Sequence, residues 1–381
     1  MKSKKLGYFL KNLMILVIVI VVMLVFLEII VRIFFPQNLN YTMFDSTLMY
    51  KHIPDFEVRF GRQEFSNLIK FNSNGLRDYE YEYEKPKDTF RVLLLGSSFS
   101  QALQVNLDQT YENLVEKKLN ENKQNEKRYE VINTAVGGWG TAQELFYLKT
   151  EGLKYDPDLI TLDFSIRDIS ENAINSLVTV ENGKIVEHIP VKASLPKRFL
   201  LFCSRYTHLC SLAQTVILSD AAKDGFLNKL LTRAKVNTET KRTLKREDIF
   251  LKENSAEFNE AIEETFLLIK EIKKVADSKN IPLVIFIIPN REQVDDEKLK
   301  QFMEKYSLTK ENVEYDKFQK LAKKFALENS ISYFDALPYF RQQSTNNTFY
   351  FNIDGHWNSK GHELAADLIF NYLKNGKKQT G

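Results

Sequence analysis

Breaking or moving an acyl ester with a serine takes a hydroxyl, an imidazole to accept its proton and a carboxylate to orient the imidazole. The chain has only five histidines, His52, His188, His208, His356 and His362, so any such base is one of five. His356 stands in DGHWN (354–358), two residues after Asp354. At that spacing the carboxylate can take the Nδ1 proton within one turn and leave Nε2 free. Hydroxyls for it to face occur in LLLGSSFSQ (93–101), where Ser97 and Ser98 follow an aliphatic run and one glycine. GGWG (137–140) offers backbone N–H groups with little side chain around them, which is what a developing oxyanion needs. A fourth segment, SIRD (165–168), follows another apolar run. Each has an ordinary explanation by itself: GSS caps a helix, DxH makes a surface turn, and the glycines make a tight bend. Trp139, beside Gly138, can stack on a sugar ring or pack in the core. His52, His188 and His208 sit in no partner pattern, His362 reads as partly exposed or core-edge, and Asp335 as a turn or cap residue.

These segments acquire meaning from the elements between them. Five short runs, FRVLLL (90–95), YEVIN (129–133), LITLDF (159–164), LVIFII (283–288) and ISYF (331–334), are close to continuously apolar, as strands buried on both faces are. Helical patterns over 110–119, 142–152, 256–277, 316–329 and 359–375 separate or follow them. The alternation predicts a doubly wound α/β domain over 90–375 with a central parallel five-stranded sheet. In such sheets ligands collect beyond the carboxyl ends of the strands, and GSS, GGWG and SIRD all follow strands there. The interval 165–255 is too long for a plain crossover and is read as an inserted, largely helical cap. Residues 37–89, with NSNGLRD and YEYEYE, read as a tether packed on the domain.

The N-terminus sets the compartment. Residues 13–27 carry no charge and the apolar run continues past Glu28 and Arg32 to Pro36, which reaches the roughly 20 residues that cross a bilayer. Lys2, Lys4, Lys5 and Lys11 precede it, so residues 1–36 are expected to be a cytoplasmic tail and uncleaved signal anchor with the bulk of the chain outside the cytoplasm. A net charge of +3 gives the whole chain no nucleic-acid footprint. A basic stretch, 223–246, reads as a solvated loop or as a contact for anionic headgroups or an acidic polymer. Cys203 and Cys210 would lie about 10 Å apart if their segment were one helix, so they are expected as two buried thiols rather than a bridge.

FNSNGLRD, RVLLLGSSF, VINTAVGGWGTAQE, YDPDLITLDFSIRD and DGHWNSKGH occur in an order that resembles the SGNH/GDSL hydrolase superfamily. The likeness runs from about Phe71 to the C-terminus, interrupted by the inserted segment. It implies a flavodoxin-like three-layer fold with Ser98 as nucleophile, His356 as base and Asp354 as its partner. It further implies oxyanion donors at the backbone of Ser98 and Gly138. Three departures accompany it. Ser97 replaces the family's aspartate before the nucleophile. Arg167 stands where an oxyanion asparagine is usual, either as a substitute donor or as a contact for an anionic substrate group. The acid–base spacing is DxH, similar to the alginate-acetylation proteins of the superfamily. The resemblance implies a membrane-anchored extracytoplasmic esterase or deacetylase acting on acyl esters of cell-envelope or exopolysaccharide carbohydrate, with Trp139 and Arg167 as substrate contacts and no metal or organic cofactor. An O-acyltransferase would use the same residues with a membrane acyl-donor protein, and a polysaccharide-binding scaffold with impaired catalysis is the alternative that Arg167 favours.

Overall fold

The computed structural model describes residues 2–122, 127–190, 195–217, 244–345 and 347–375. They form two compact units, and most of the basic stretch 223–246 lies outside the described residues.

The smaller unit holds the N-terminal helix α1 (Lys2–Phe34) and residues up to 41. Its stretch Lys5–Phe34 is long and apolar enough to cross a membrane, and almost none of its surface is covered.

The larger unit begins with two short strands, β1 (Thr42–Asp45) and β2 (Met49–His52), paired antiparallel. Strands β3 (Glu57–Arg62) and β4 (Phe65–Lys70) follow. None of the four was expected: they are short, partly exposed and mixed in polarity, with no continuous apolar run. Next come β5 (Thr89–Leu95), α2 (Ser98–Gln101), α3 (Tyr111–Glu121), β6 (Arg128–Asn133), α4 (Thr141–Thr150) and β7 (Leu159–Phe164). The interval after β7 is not uniformly helical. It opens with α5 (Ile166–Asn175), whose Ile166, Ile169 and Ala173 are core residues, and a hairpin of β8 (Val178–Glu181) and β9 (Lys184–Glu187). Two helices, α6 (Leu195–Cys203) and α7 (His208–Ile217), belong to the smaller unit. The domain closes with α8 (Ala256–Ser278), β10 (Leu283–Ile287), α9 (Arg291–Val294), α10 (Asp296–Lys305), α11 (Lys317–Glu328), β11 (Ser332–Asp335), α12 (Leu337–Ser344) and α13 (Ser359–Asn375).

The five apolar runs are the five strands of one parallel sheet, in the order β11-β10-β7-β5-β6. Successive residues face opposite sides of a strand, and the core divides accordingly. Leu93, Leu95, Ile160, Leu162, Ile285 and Ile287 pack under α4, α5, α8 and α11. Val92, Leu94, Leu159, Val284 and Phe286 pack under α3, α12 and α13. The result is the expected three-layer α/β arrangement with flavodoxin-like strand order. Strand order reverses between β5 and β7, and in such folds the crevice beyond that reversal is where ligands bind. GSS follows β5 and SIRD follows β7.

Residues 71–91 are bonded to the rest of the larger unit. Asn72 Oδ1 accepts the N–H groups of Asn74 and Leu76, turning the chain through Gly75 at a φ of 77°. Arg77, buried, donates to the carbonyls of Gln101 and Val105 at 2.6 Å and to Ala102 at 2.5 Å. It thereby fixes the exit from α2, the helix that carries Ser98.

The two cysteines correct the expectation of thiols. Helix α6 ends at Cys203 and α7 begins at His208, so the intervening turn folds the chain back; the Cα atoms lie 5.8 Å apart and the cysteines are bridged. The one-helix premise failed, and with it the distance.

Candidate active site

Strand β5 ends at Leu95, and Gly96 lets the chain pass close beneath α2: a Cβ there would meet Ser100 Oγ at 2.7 Å and Asp163 Cβ at 3.2 Å. Ser97 and Ser100 are buried while Ser98 is part-exposed, so of the three hydroxyls only that of Ser98 is open to a substrate. It occupies the first position of α2, where no preceding helical carbonyl exists to take its N–H. Ser97 stands at the N-cap position, but its side chain makes no capping bond.

DGHWN reaches the same point from the far end of the chain. His356 Nε2 lies 2.8 Å from Ser98 Oγ, and His356 Nδ1 lies 2.6 Å from Asp354 Oδ1. With the Nδ1 proton on the carboxylate side, Nε2 is the acceptor for the serine proton. Burial pushes the Asp354 carboxyl up, but the bonds from His356 and Gln104 outweigh it and hold it below the ordinary carboxylate range. Asp354 therefore stays ionised beside the imidazole.

Residues outside the expected set hold this pair in place. Gln104 Nε2 donates to Asp354 Oδ1 at 3.0 Å. The Glu64 carboxylate, from the β3–β4 turn, takes the N–H groups of Asn352, Ile353 and Asp354 at 2.7, 2.8 and 2.9 Å. Arg291 donates to the carbonyls of Phe351 and Asn352. The His356 ring packs on Phe99 with centroids 4.9 Å apart. Glu64 and Gln104 carried no signal in the sequence because their partners are some 290 and 250 positions away.

Gly138 has a φ of 81°, and a Cβ would strike Tyr50 Oη at 2.6 Å, so both conformation and space require glycine. Its carbonyl accepts from Asn175, while its N–H has no acceptor among the described residues. Trp139 corrects the expectation of a sugar platform: it is 1% exposed, and its indole N–H donates to the Tyr50 carbonyl at 3.0 Å. Burial excludes it as a substrate contact.

Arg167 is exposed, and its guanidinium makes no bond to Ser98 or Gly138 among the described residues. It lines a cavity of about 480 Å³ with Lys245, Arg246, Arg291, Lys298 and Lys305, against Glu171 and Glu292. Ser98, Gly138 and His356 are not in that wall. Arg291 joins the two regions, since its guanidinium lies 3.8 Å from where a Cβ on Gly355 would be. The arginine in the asparagine position thus contributes to a basic cavity beside the DGHWN loop.

Three buried carboxyls underlie α2. Asp168 accepts from Ser165 N at 2.6 Å; burial pushes it up to about 7 and the neighbouring Glu144 well above the ordinary range. Asp163 accepts from Ser100 Oγ at 2.5 Å and from the Tyr111 hydroxyl, and burial pushes it up to about 8. A carboxyl raised on folding binds its proton more tightly in the native state. Stability from this source is full below about pH 4 and is lost progressively as pH rises to and through about 8. We expect the Tm of the wild type to fall between pH 5 and pH 8. Asp163→Asn keeps an acceptor for both hydroxyls and flattens that fall; an unchanged slope on thermal scans across the range would refute the assignment.

The other histidines are structural. His52 is buried between the Gly75 carbonyl and the Gln101 amide, and burial lowers it to about 3. His362, expected at the core edge, is fully inside: Tyr111 N donates to its Nδ1 and the two rings stack. His188 meets Thr179, and His208 accepts from Gln37 N. Asp335 caps α12 through Leu337 N, as a cap residue should.

Part of the chain is similar to known proteins. Residues 246–380 match the model of the SGNH hydrolase-like domain of the acetyltransferase AlgX, a stretch that includes Asp354 and His356 and begins after Ser98. No curated protein matches the chain. Among solved structures, the acetyl xylan esterase AlAXEase is 14% identical over 74% of this chain and 100% of its own, with a TM-score of 0.40. A lipase/acylhydrolase from Enterococcus faecalis is 13% identical over 75% of this chain and 96% of its own, with a TM-score of 0.38. An acetyl-xylooligosaccharide esterase from Geobacillus is 10% identical over 74% and 93%, with a TM-score of 0.41. Residues 246–380 are thus similar to an SGNH hydrolase-like domain.

Proposed function

We propose that the chain is a membrane-anchored, extracytoplasmic serine esterase of the SGNH type, acting on acyl esters of cell-envelope or exopolysaccharide carbohydrate. The observation that carries this reading is the unbroken line Asp354–His356–Ser98, at 2.6 and 2.8 Å. Ser98 Oγ attacks the ester carbonyl while His356 Nε2 takes its proton. The N–H groups of Ser98 and Gly138 receive the oxyanion. Collapse of the tetrahedral adduct expels the sugar alkoxide, which takes the proton back from His356 and leaves an acyl-Ser98. Water, deprotonated by the same imidazole, then releases the carboxylate. The extracytoplasmic placement is supported by the lysines ahead of α1 and by the Cys203–Cys210 bridge, which persists in oxidising compartments.

A second reading is supported by the matched family's description as an acetyltransferase. A sugar hydroxyl replaces water in the second half-reaction, and a membrane acyl-donor protein supplies the acyl group. In either case the basic cavity suits a substrate that carries anionic groups beside its ester. Arg167→Gln is expected to raise KM roughly 10-fold or more for an acetylated acidic oligosaccharide, and less for a neutral one, because a desolvated charge contact is lost only with the former. Equal effects on both substrates would remove the anion role.

A fluorophosphonate probe tests the esterase reading on the full-length protein. Labelling of the wild type that disappears in Ser98→Ala and in His356→Ala supports it. Labelling that persists in Ser98→Ala, or none in the wild type, refutes it and leaves a binding scaffold. Release of free acetate against transfer to an added sugar acceptor separates hydrolase from transferase.

A further inference from the structure

The smaller unit carries an apolar surface besides α1. Helix α6 exposes Leu195, Phe199 and Phe202, and Tyr206 follows in the turn, at 76, 70, 55 and 57% exposure. Along the helix the steps of four and three residues put the first three on one face. Phe202 and Tyr206 meet edge to face at 5.5 Å, so the aromatic surface continues past the helix end. Lys197, Arg198 and Arg205 are interleaved with them. A water-facing surface seldom leaves two phenylalanines, a tyrosine and a leucine this bare on one short element.

The position of α6 identifies what covers it. Arg32 in the last turn of α1 donates to the Tyr206 carbonyl at 3.2 Å, and Glu28, one turn earlier, takes the N–H groups of His208 and Leu209 at 3.0 and 2.8 Å. Asn40 Nδ2 donates to Leu201 O at 3.1 Å and Gln37 N to His208 Nδ1 at 2.8 Å. The end of α6 is therefore bonded to the last turns of α1 and to the residues after it, where Ile33, Phe34 and Phe35 are themselves exposed. The Cys203–Cys210 bridge closes the turn that makes these contacts. We propose that α6 is an interfacial membrane helix. It lies at the lipid–water boundary where α1 leaves the bilayer, with Phe199 and Phe202 among the acyl-chain segments next to the headgroups and the basic residues at headgroup phosphates. Aromatic rings with an adjoining cationic edge are what that boundary favours. The occupant is phospholipid, and the inference rests on the reading that α1 spans the membrane.

Tryptophan reporters in the full-length protein test it, because the two native tryptophans, Trp139 and Trp357, are buried and give a fixed background. Phe202→Trp, Phe199→Trp and, within α1, Val21→Trp are each reconstituted in vesicles of phosphatidylcholine with bromines near the headgroup or near the bilayer centre. We expect the added emission of F202W and F199W to be blue-shifted and quenched most by the shallow bromines, and that of V21W most by the deep ones. Quenching of V21W without quenching of either α6 reporter overturns the interfacial helix and leaves the anchor standing. If V21W is not quenched either, the anchor reading fails and the proposal fails with it. Blue-shifted but unquenched α6 reporters also overturn it, since the face is then covered by protein.

Discussion

Ser98→Ala and His356→Ala each lower kcat/KM for an activated acetyl ester by roughly 10⁴-fold or more, and the double variant is no worse than the poorer single one. The size follows from the proximity of the three groups. Among the described residues Ser98 Oγ is bonded only through His356 Nε2, whose other nitrogen is committed to Asp354. Removing either end abolishes the same proton transfer, so the losses overlap instead of adding. Asp354→Asn belongs to the same series. An amide can present its N–H to Nδ1 and favour the wrong tautomer, which costs about as much while leaving the fold intact. Gln104 offers a control: Gln104→Ala removes one acceptor contact from Asp354 but leaves the imidazole bond, so it is expected to cost far less than D354N. Steady-state rates with the native melting curve as a check measure all of these. Independent, additive losses for S98A and H356A would dissolve the triad.

The distribution of what could be read from the sequence has a physical basis. All five sheet strands were legible because a strand covered on both faces has no polar side to interrupt it; Leu93, Ile160 and Ile287 on one face alternate with Val92, Leu159 and Phe286 on the other. The Ser98, Gly138, Asp354 and His356 segments stood out for the related reason that strand ends and tight turns admit few residue types. What escaped was whatever depends on contacts between distant segments. The strands β1 to β4 are short, partly exposed and mixed in polarity, and Glu64 and Gln104 are ordinary polar residues until DGHWN is folded against them. Trp139 was open to two readings, a sugar platform or a core aromatic, and its burial and the bond of its indole to the Tyr50 carbonyl decide for the core. Arg167 was legible as an anomaly, and the cavity explains it better than the oxyanion does. Its companions Arg246, Arg291 and Lys298 come from other parts of the chain and share no motif with it.

Arg91→Met destabilises the larger unit by about 3–5 kcal/mol, the cost of removing one partner from a buried ion pair. Arg91 is 1% exposed and follows the acidic YEYEYE run. Its Nε donates to Glu130 on the adjacent strand β6 at 2.7 Å, and the two terminal nitrogens donate to the carbonyls of Glu82, Tyr83 and Tyr155 at 2.7, 2.9 and 2.8 Å. The guanidinium therefore fastens the segment entering β5 to the sheet through backbone carbonyls, and no surface charge of YEYEYE takes part. Two consequences separate this account from a simple ion pair. Glu130→Gln keeps an acceptor and the carbonyl bonds, so it costs less than R91M. The double variant R91M/E130L removes the uncompensated carboxylate but leaves the carbonyls without their donor, so it recovers only part of the loss. Urea unfolding midpoints order the variants, and limited proteolysis locates the change: R91M opens the chain to cleavage within 79–88 before the domain unfolds. A double variant as stable as the wild type would mean that the carbonyl bonds contribute nothing, and the segment ahead of β5 would then be held by its side-chain contacts, such as Tyr81 to Glu116, Tyr83 to Glu151 and Lys85 to Asp158.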